Sequence, residues 1–206
     1  GKTLFLGLSG GQGSGKTTVA AILKIILEKF FKREIQVSSI DDFYKTLKER
    51  ETMSKKISQL FLTRGVPGTH DTKMLLTCLK KLKRKSFFKM LIPKFDKSID
   101  DRCSKKNWTI VLKKPDIVIF EGWCVGARAQ KKSSLIKPIN LLERLEDKNL
   151  IWRQKVNYEL KNKYKKIFNL IDILIFLKVP SFKYVYKWRL LQEQKLKVVR
   201  IHLLTD

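Results

Sequence analysis

Near its start the sequence carries the glycine-rich segment "GQGSGKTT", which lies between an apolar run and a helical pattern. The residues at this point fit the spacing G-x-x-x-x-G-K-[ST] of a phosphate-binding loop. The glycines allow the backbone to curl so that several N–H groups face inward, and the helix that follows adds partial positive charge. We therefore predict a site for a nucleoside triphosphate, formed by Gly10, Gly11, Gly13, Ser14, Gly15, Lys16, Thr17 and Thr18.

Within this loop two side chains have chemistry of their own. Lys16 is placed to reach the β- and γ-phosphates, and the hydroxyl of Thr17 can ligate Mg²⁺. The loop predicts a nucleoside triphosphate and Mg²⁺ as ligands, but it does not say which reaction follows. Phosphate loops of this kind serve kinases, GTP switches, motors and nucleic-acid ATPases alike.

Two carboxylates come directly after apolar strands of the predicted fold. Asp41 follows a strand in "SSIDDFY", and Glu121 ends the apolar run of "DIVIFEGW". The carboxyl ends of strands in an open parallel sheet line the ligand crevice, so both side chains are expected beside the phosphate loop. Asp41 is a candidate to accept a proton from an attacking hydroxyl, and Glu121 is a candidate Mg²⁺ ligand. A helix-capping role for Asp41 and a solvated role for Glu121 are the alternatives.

Two polar loops, "RGVPGTHD" and "IPKFDKSIDDR", supply side chains that can hydrogen-bond a small polar or anionic acceptor. Loops are usually polar, so these segments alone are weak evidence for a site. The candidate acceptor residues in them are Arg64, His70, Asp71, Asp96 and Arg102, with Lys97 and Asp101 nearby.

The elements that position these residues follow from hydrophobic periodicity. Continuous apolar strands alternate with helical patterns, which predicts an α/β fold of the P-loop NTPase type with three layers, a mainly parallel sheet and helices on both faces. We expect residues 1–206 to form one kinase domain, incomplete at both termini. The predicted strands are 2–9, 35–40, 117–120 and a buried 171–179. The predicted helices are 16–31, 71–85 and a lid helix at 181–196, while 141–169 is expected to be mostly helical and 87–114 to be rich in loops.

Bulk composition limits the function classes. No apolar run is long enough for a membrane span, and the three widely spaced cysteines indicate neither a disulfide framework nor a zinc site. We expect a cytoplasmic protein, or one of an organelle stroma if a targeting segment has been removed. The net charge of +26 results from 45 basic residues against 19 acidic ones, and the basic residues are 35 lysines and only 10 arginines, spread along the chain. That pattern favours solvated surfaces and nonspecific polyanion binding over a specific nucleic-acid site.

Taken together, the motifs occur in an order that resembles the D-glycerate 3-kinase family, within the P-loop kinases that include uridine kinase, pantothenate kinase and phosphoribulokinase. The resemblance covers roughly residues 4–195, and "PGTHD" with "EGW" are its most specific parts. The tail "KVVRIHLLTD" departs from the pattern. The segments that carry the resemblance are "GQGSGKTT", "SIDDFY", "RGVPGTHD", "PKFDKSIDDR", "FEGWCVG", "LLERLEDKNLIWRQKVNYEL" and "YKWRLLQEQ".

The resemblance implies a role for each matching residue. Lys16 and Thr17 would bind phosphate and Mg²⁺, Asp41 would be the base, and Glu121 would be linked to the metal. Arg189, on the lid helix, would offset charge on the transferred phosphoryl group. The acceptor would be a small hydroxy acid such as D-glycerate, with 3-phosphoglycerate as product. Residues implied on the acceptor side are Asp71, Asp96 and Arg102, and an arginine at 64 or 102 would clamp the carboxylate.

The sequence alone is also compatible with other functions. The positive charge would suit a nucleic-acid-binding ATPase, although no RNA-binding signature is present. A GTP switch would normally carry an N-K-x-D segment, which the chain lacks. A kinase for a nucleoside or pantothenate, or an ATP-binding partner protein without turnover, are the remaining alternatives.

Overall fold

The computed structural model describes residues 1–181, 183–188, 190 and 191. The α-helices within residues 1–181 are α1 Lys16–Phe31, α2 Leu47–Lys56, α3 Thr72–Lys83, α4 Leu141–Glu146, α5 Ile151–Glu159 and α6 Lys165–Phe168, and residues 183–188 are also helical. The strands are β1 Leu4–Gly10, β2 Ile35–Ser39, β3 Met90–Ile92, β4 Phe95–Asp96, β5 Asp101–Arg102, β6 Thr109–Val111, β7 Ile117–Gly122 and β8 Ile173–Leu177.

A four-stranded sheet with the order β2-β7-β1-β8 forms the centre of the molecule, and each neighbouring pair in it is parallel. Two small antiparallel pairs, β3 with β6 and β4 with β5, lie in the region that we predicted to be rich in loops. The mainly parallel sheet predicted from the apolar runs is confirmed.

The two faces of the sheet bury different side chains, as the alternation of a strand requires. Phe5 of β1 and Phe120 of β7 pack with residues of α3 and α6 on one face. Leu8 of β1 and Ile119 of β7 pack with α1 on the opposite face. Helices therefore cover both faces, and the three-layer α/β architecture is confirmed.

One expectation about the second half of the chain is confirmed and another needs correction. The stretch 141–169 is mostly helical as predicted, with a break between α4 and α5, where Leu150 adopts a left-handed φ of 64°. It then continues as a π-helix over Leu160–Tyr164. The strand predicted to be buried, β8, has Ile173 and Phe176 exposed by 48% and 64%. Its position at the edge of the described sheet explains this exposure, because it pairs with β1 alone.

Within the described residues, no helix combines the length and the apolar character that crossing a bilayer needs.

Candidate active site

The glycine-rich segment forms a tight loop between β1 and α1. Gly13 and Gly15 have φ values of 76° and 84°, which side chains with a Cβ rarely adopt. A Cβ on Gly10 would lie 2.7 Å from the hydroxyl of Ser14 and 3.1 Å from the Leu177 carbonyl oxygen, so a larger residue there would force its neighbours to shift. The predicted helix 16–31 begins directly after the loop, as a phosphate site at a helix N-terminus requires.

Lys16 lies folded into this loop. Its ammonium group donates hydrogen bonds to the carbonyl oxygens of Gly10 and Gly11, at 2.9 and 2.8 Å. Burial lowers the Lys16 pKa, while the nearby carboxylates of Glu121 and Asp41 act to raise it. Those opposing effects show that both predicted carboxylates lie within electrostatic reach of the loop lysine.

The sheet register explains why these groups meet. Ser39 at the end of β2 lies opposite Glu121 of β7, and Ser9 of β1 lies opposite Gly122. The phosphate loop, the Asp41 turn and Glu121 therefore leave the sheet at the same edge. At Gly122 a Cβ would come within 2.3 Å of Ile40, so glycine lets the Asp41 turn lie directly against the strand end.

Glu121 is a buried carboxylate, with 8% of the residue exposed. Burial raises its pKa and Asp41 adds to that effect, while a hydrogen bond from Ser39 and the charges of Lys16 and Lys97 lower it. A carboxylate with an elevated pKa next to a lysine is typical of functional sites, and a divalent cation nearby would favour its charged form.

Asp41 belongs to a short 3-10 helix, Ile40–Phe43, whose N-cap is Ser39. One carboxylate oxygen, Oδ1, accepts a hydrogen bond of 3.0 Å from the Tyr44 hydroxyl. The other, Oδ2, accepts one of 2.7 Å from the ammonium group of Lys97. Side chains three residues apart eclipse each other on a 3-10 turn, which places Tyr44 over Asp41.

Tyr44 is a site residue that our sequence reasoning missed, although the i, i+3 spacing in "SIDDFY" offered a signal. Its ring stacks on His70 with centroids 4.4 Å apart and meets the Phe95 ring edge-on at 5.3 Å. Only 4% of Tyr44 is exposed, and its pKa is raised by burial first and by Asp41 next. The tyrosine is therefore a neutral, rigidly held donor to the carboxylate.

His70 was predicted to contact the substrate, but the structure places it in the core with 1% exposure. Its Nδ1 lies 2.6 Å from the hydroxyl of Tyr164, which already accepts a hydrogen bond from the Gly68 amide. The Nδ1 atom and the tyrosine hydroxyl share one hydrogen bond, and the tautomer of the ring sets which of them donates. Burial lowers the His70 pKa to about 3, so the ring is neutral at physiological pH. His70 stacks on Tyr44, and its Nε2 is buried without a hydrogen-bond partner among the described residues, so its contact with the substrate stays a prediction.

Asp71 and Arg102 are brought together beside the Asp41 turn. Asp71 caps α3 by accepting a hydrogen bond from the Met74 amide, and its other oxygen lies 3.6 Å from the Arg102 guanidinium. Arg102 also donates to the Tyr44 carbonyl at 2.8 Å. Both residues therefore help to hold the loops in place around Asp41.

The remaining candidates in these loops are engaged elsewhere. Arg64 forms an ion pair with Asp100, whose other carboxylate oxygen lies 3.0 Å from the fully buried Arg50. Asp96 accepts hydrogen bonds from the amide and hydroxyl of Ser98, which lower the Asp96 pKa. Neither Arg64 nor Asp96 contacts the Asp41 carboxylate, and their acceptor-binding role stays a prediction.

Asp42, the residue beside the candidate base Asp41, should make the stability of the protein depend on pH. Burial raises the Asp42 pKa from 3.8 to about 6. Because the unfolded chain loses this proton first, the free energy of unfolding falls as pH rises from about 4 to 6, by at most ~3 kcal/mol. Asp42→Asn removes that penalty, so its stability gain over wild type should be larger at pH 7.5 than at pH 4.5.

Urea denaturation of both proteins at the two pH values measures this difference. A gain that is the same at both pH values would show that Asp42 titrates normally in the folded protein.

The C-terminal segment returns to the phosphate loop. A Cβ on Gly11 would lie 3.2 Å from the side chains of Val179 and Val185, so the helical residues 183–188 begin beside the loop. The predicted lid helix 181–196 is thus described only in part. Arg189, its predicted catalytic residue, lies outside the described residues.

This site has the features of a P-loop kinase. A strand leads into a glycine-rich phosphate loop and a helix, and two acidic strand ends lie beside the loop lysine. The sequence profile of the Phosphoribulokinase / Uridine kinase family matches residues 5–187, and the chain belongs to that family.

Individual proteins are similar to this chain over most of its length. The chain is 37% identical to the uncharacterized kinase mug58 of Schizosaccharomyces pombe over 98% of its own length and 74% of that protein. It is 31% identical to the chloroplastic D-glycerate 3-kinase of Arabidopsis thaliana over 92% of its length, which spans only 41% of that enzyme. The solved structure of D-glycerate 3-kinase from Cryptococcus neoformans superposes with a TM-score of 0.83, at 28% identity, over 97% of this chain and 71% of that one.

Proposed function

We propose that the protein transfers the γ-phosphoryl group of ATP to a hydroxyl of D-glycerate, giving ADP and 3-phosphoglycerate. The observation that carries this proposal is the approach of Lys16, Asp41 and Glu121 at one edge of the sheet, within electrostatic reach of one another. The likeness to two D-glycerate 3-kinases supports the choice of acceptor.

ATP would bind with its phosphates in the loop between β1 and α1. The lysine now donates to two loop carbonyls, and triphosphate oxygens would take over those hydrogen bonds at the same place. Lys16 then offsets the negative charge that develops between the β- and γ-phosphates during transfer.

The donor set fits Mg²⁺ held mainly by the nucleotide. Among the described residues no cluster of three His, Cys, Asp or Glu side chains is able to enclose a metal. Mg²⁺ in kinases typically takes one or two protein ligands and completes its shell with phosphate and water. Thr17 and Glu121 would hold it, and when bound the ion neutralises charge on the phosphate oxygens.

Asp41 would act on the acceptor. The acceptor hydroxyl donates its hydrogen bond to the carboxylate, and its oxygen attacks the γ-phosphorus while its proton passes to Asp41. The bond between the γ-phosphorus and the bridging oxygen breaks, and ADP leaves with the electron pair. Tyr44 fixes the carboxylate from behind through its hydrogen bond to Oδ1.

A coupled assay for ADP with D-glycerate, uridine and pantothenate offered side by side tests the proposed activity. We expect Mg²⁺-dependent turnover with D-glycerate far above the rate without acceptor, and phosphorus NMR should identify 3-phosphoglycerate. Turnover with another alcohol only would keep the kinase and overturn the substrate. ATP hydrolysis stimulated by RNA and by no small alcohol would favour a nucleic-acid-binding ATPase.

A further inference from the structure

Lys97 occupies an unusual position relative to the proposed base. It lies in the turn between β4 and β5, and its ammonium group contacts Asp41 Oδ2 at 2.7 Å while 60% of its side chain is exposed. Lys97 is also near enough to lower the pKa of both Lys16 and Glu121. An exposed cation therefore lies at the point where the acceptor hydroxyl and the phosphate chain must meet.

The turn that carries Lys97 is fixed at both of its sides. Asp96 accepts two hydrogen bonds from Ser98, and the backbone of Phe95 hydrogen-bonds the Asp42 carboxylate. The hairpin is thus attached to the Asp41 turn, while the lysine side chain itself reaches outward. A fixed backbone with a long exposed side chain suits a group that changes partners when a ligand arrives.

The arginines proposed from sequence as clamps are already committed. Arg64 is paired with Asp100, and Arg102 holds both Asp71 and the Tyr44 carbonyl. Drawing Arg102 to a ligand would remove its contacts with Asp71 and the Tyr44 carbonyl, whereas Asp100 would keep its ion pair with Arg50 if Arg64 moved. The pair between Lys97 and Asp41 is exposed, and such pairs contribute only about 0–1 kcal/mol.

A hydroxy acid carries its carboxylate a few bonds away from its hydroxyl groups. When a hydroxyl donates to Asp41, the carboxylate of the same molecule falls within reach of a cation that already touches Asp41. An ammonium group has three donors, so it is able to bind Asp41 and a second carboxylate together.

We propose that Lys97 recognises the carboxylate of the acceptor and bridges it to Asp41, which makes this lysine the residue that selects hydroxy acids over neutral alcohols. The inference rests on the proposed function, because it assumes that the acceptor hydroxyl is bound at Asp41. The preference for hydroxy acids would then depend on the exposed side chain of Lys97, which the sequence did not distinguish from its neighbours.

The test compares Lys97→Gln with Lys94→Gln, a matched change of another exposed lysine three residues earlier. The acceptors are D-glycerate and glycerol, which has the same carbon chain with a carbinol in place of the carboxylate. Loss of a charge-assisted hydrogen bond should raise the KM for D-glycerate roughly 10- to 100-fold in Lys97→Gln. The KM for ATP and for glycerol should stay within about twofold, as should every constant of Lys94→Gln. Lys97→Arg, which keeps the charge, should recover part of the loss.

Equal KM values for D-glycerate in Lys97→Gln and Lys94→Gln would overturn the inference. So would a rise in the KM for ATP alone, since that would place Lys97 on the phosphates. Unchanged stabilisation by ATP in a thermal melt shows that Lys97→Gln is folded.

Calorimetric titration of D-glycerate into protein loaded with Mg²⁺ and a non-hydrolysable ATP analogue separates the two proposals. If wild type binds D-glycerate without phosphorylating it, the proposed activity fails, and weaker binding by Lys97→Gln than by Lys94→Gln still supports the inference. If wild type neither binds nor phosphorylates D-glycerate, both are overturned.

Discussion

Replacing Asp41 with asparagine is expected to lower kcat for phosphoryl transfer by about 10²- to 10⁴-fold, the usual contribution of a positioned general base. Asparagine has nearly the same shape and still accepts a hydrogen bond from Tyr44, but it cannot take the proton of the acceptor hydroxyl. Steady-state kinetics of ADP release measures the effect. The stabilisation that ATP gives in a thermal melt should be retained, because Asp41 does not bind the nucleotide.

The matched control is Glu51→Gln, which neutralises an exposed acid on α2 away from the sheet edge. It should leave kcat within about twofold of wild type, as is usual for surface changes. An Asp41→Asn enzyme with wild-type kcat would assign the proton to another group, and Asp42 would be the first to examine.

Replacing Lys16 with alanine is expected to remove most of the thermal stabilisation that ATP gives. It should also lower kcat at least 10²-fold. At a nucleotide concentration of about 100 times Kd, binding stabilises the native state by ~2.7 kcal/mol. In a chain of this size that corresponds to a rise in Tm of roughly 5–10 °C. The truncated side chain loses its contact with the phosphates, so the rise in Tm with ATP should largely vanish.

Lys24→Ala provides the comparison, since Lys24 lies two turns further along the same helix with its side chain 45% exposed. It should keep the full ATP-dependent rise in Tm. If Lys16→Ala kept that rise as well, the triphosphate would be bound elsewhere and the role given to the glycine-rich loop would be wrong.

The sequence predicted those parts of the molecule that depend on local pattern. The bounds of α1 match because glycines with left-handed φ fix its start and an apolar periodicity continues to Phe31. The edge position of β8 could not be read from the sequence, since an apolar run is the same whether or not a neighbour covers it. The exposure of a strand depends on sheet order, which is a property of the whole fold.

The residues of the candidate site likewise divide into those that a local pattern predicts and those that depend on the whole fold. Asp41 and Glu121 were found because strand ends in a parallel sheet share one edge. Lys97 contacts Asp41 across 56 residues of sequence, and no local pattern encodes that contact. The burial of His70 was not predicted for a similar reason, because its partner Tyr164 lies 94 residues away on a π-helix.

A crystal structure of the protein with Mg²⁺, a non-hydrolysable ATP analogue and D-glycerate measures the central geometry most directly. We expect the acceptor hydroxyl within hydrogen-bonding distance of the Asp41 carboxylate, about 2.6–3.2 Å, with the γ-phosphorus on its open side and Lys16 on the phosphates. An acceptor bound away from Asp41, with its hydroxyl facing a different group, would contradict this expectation.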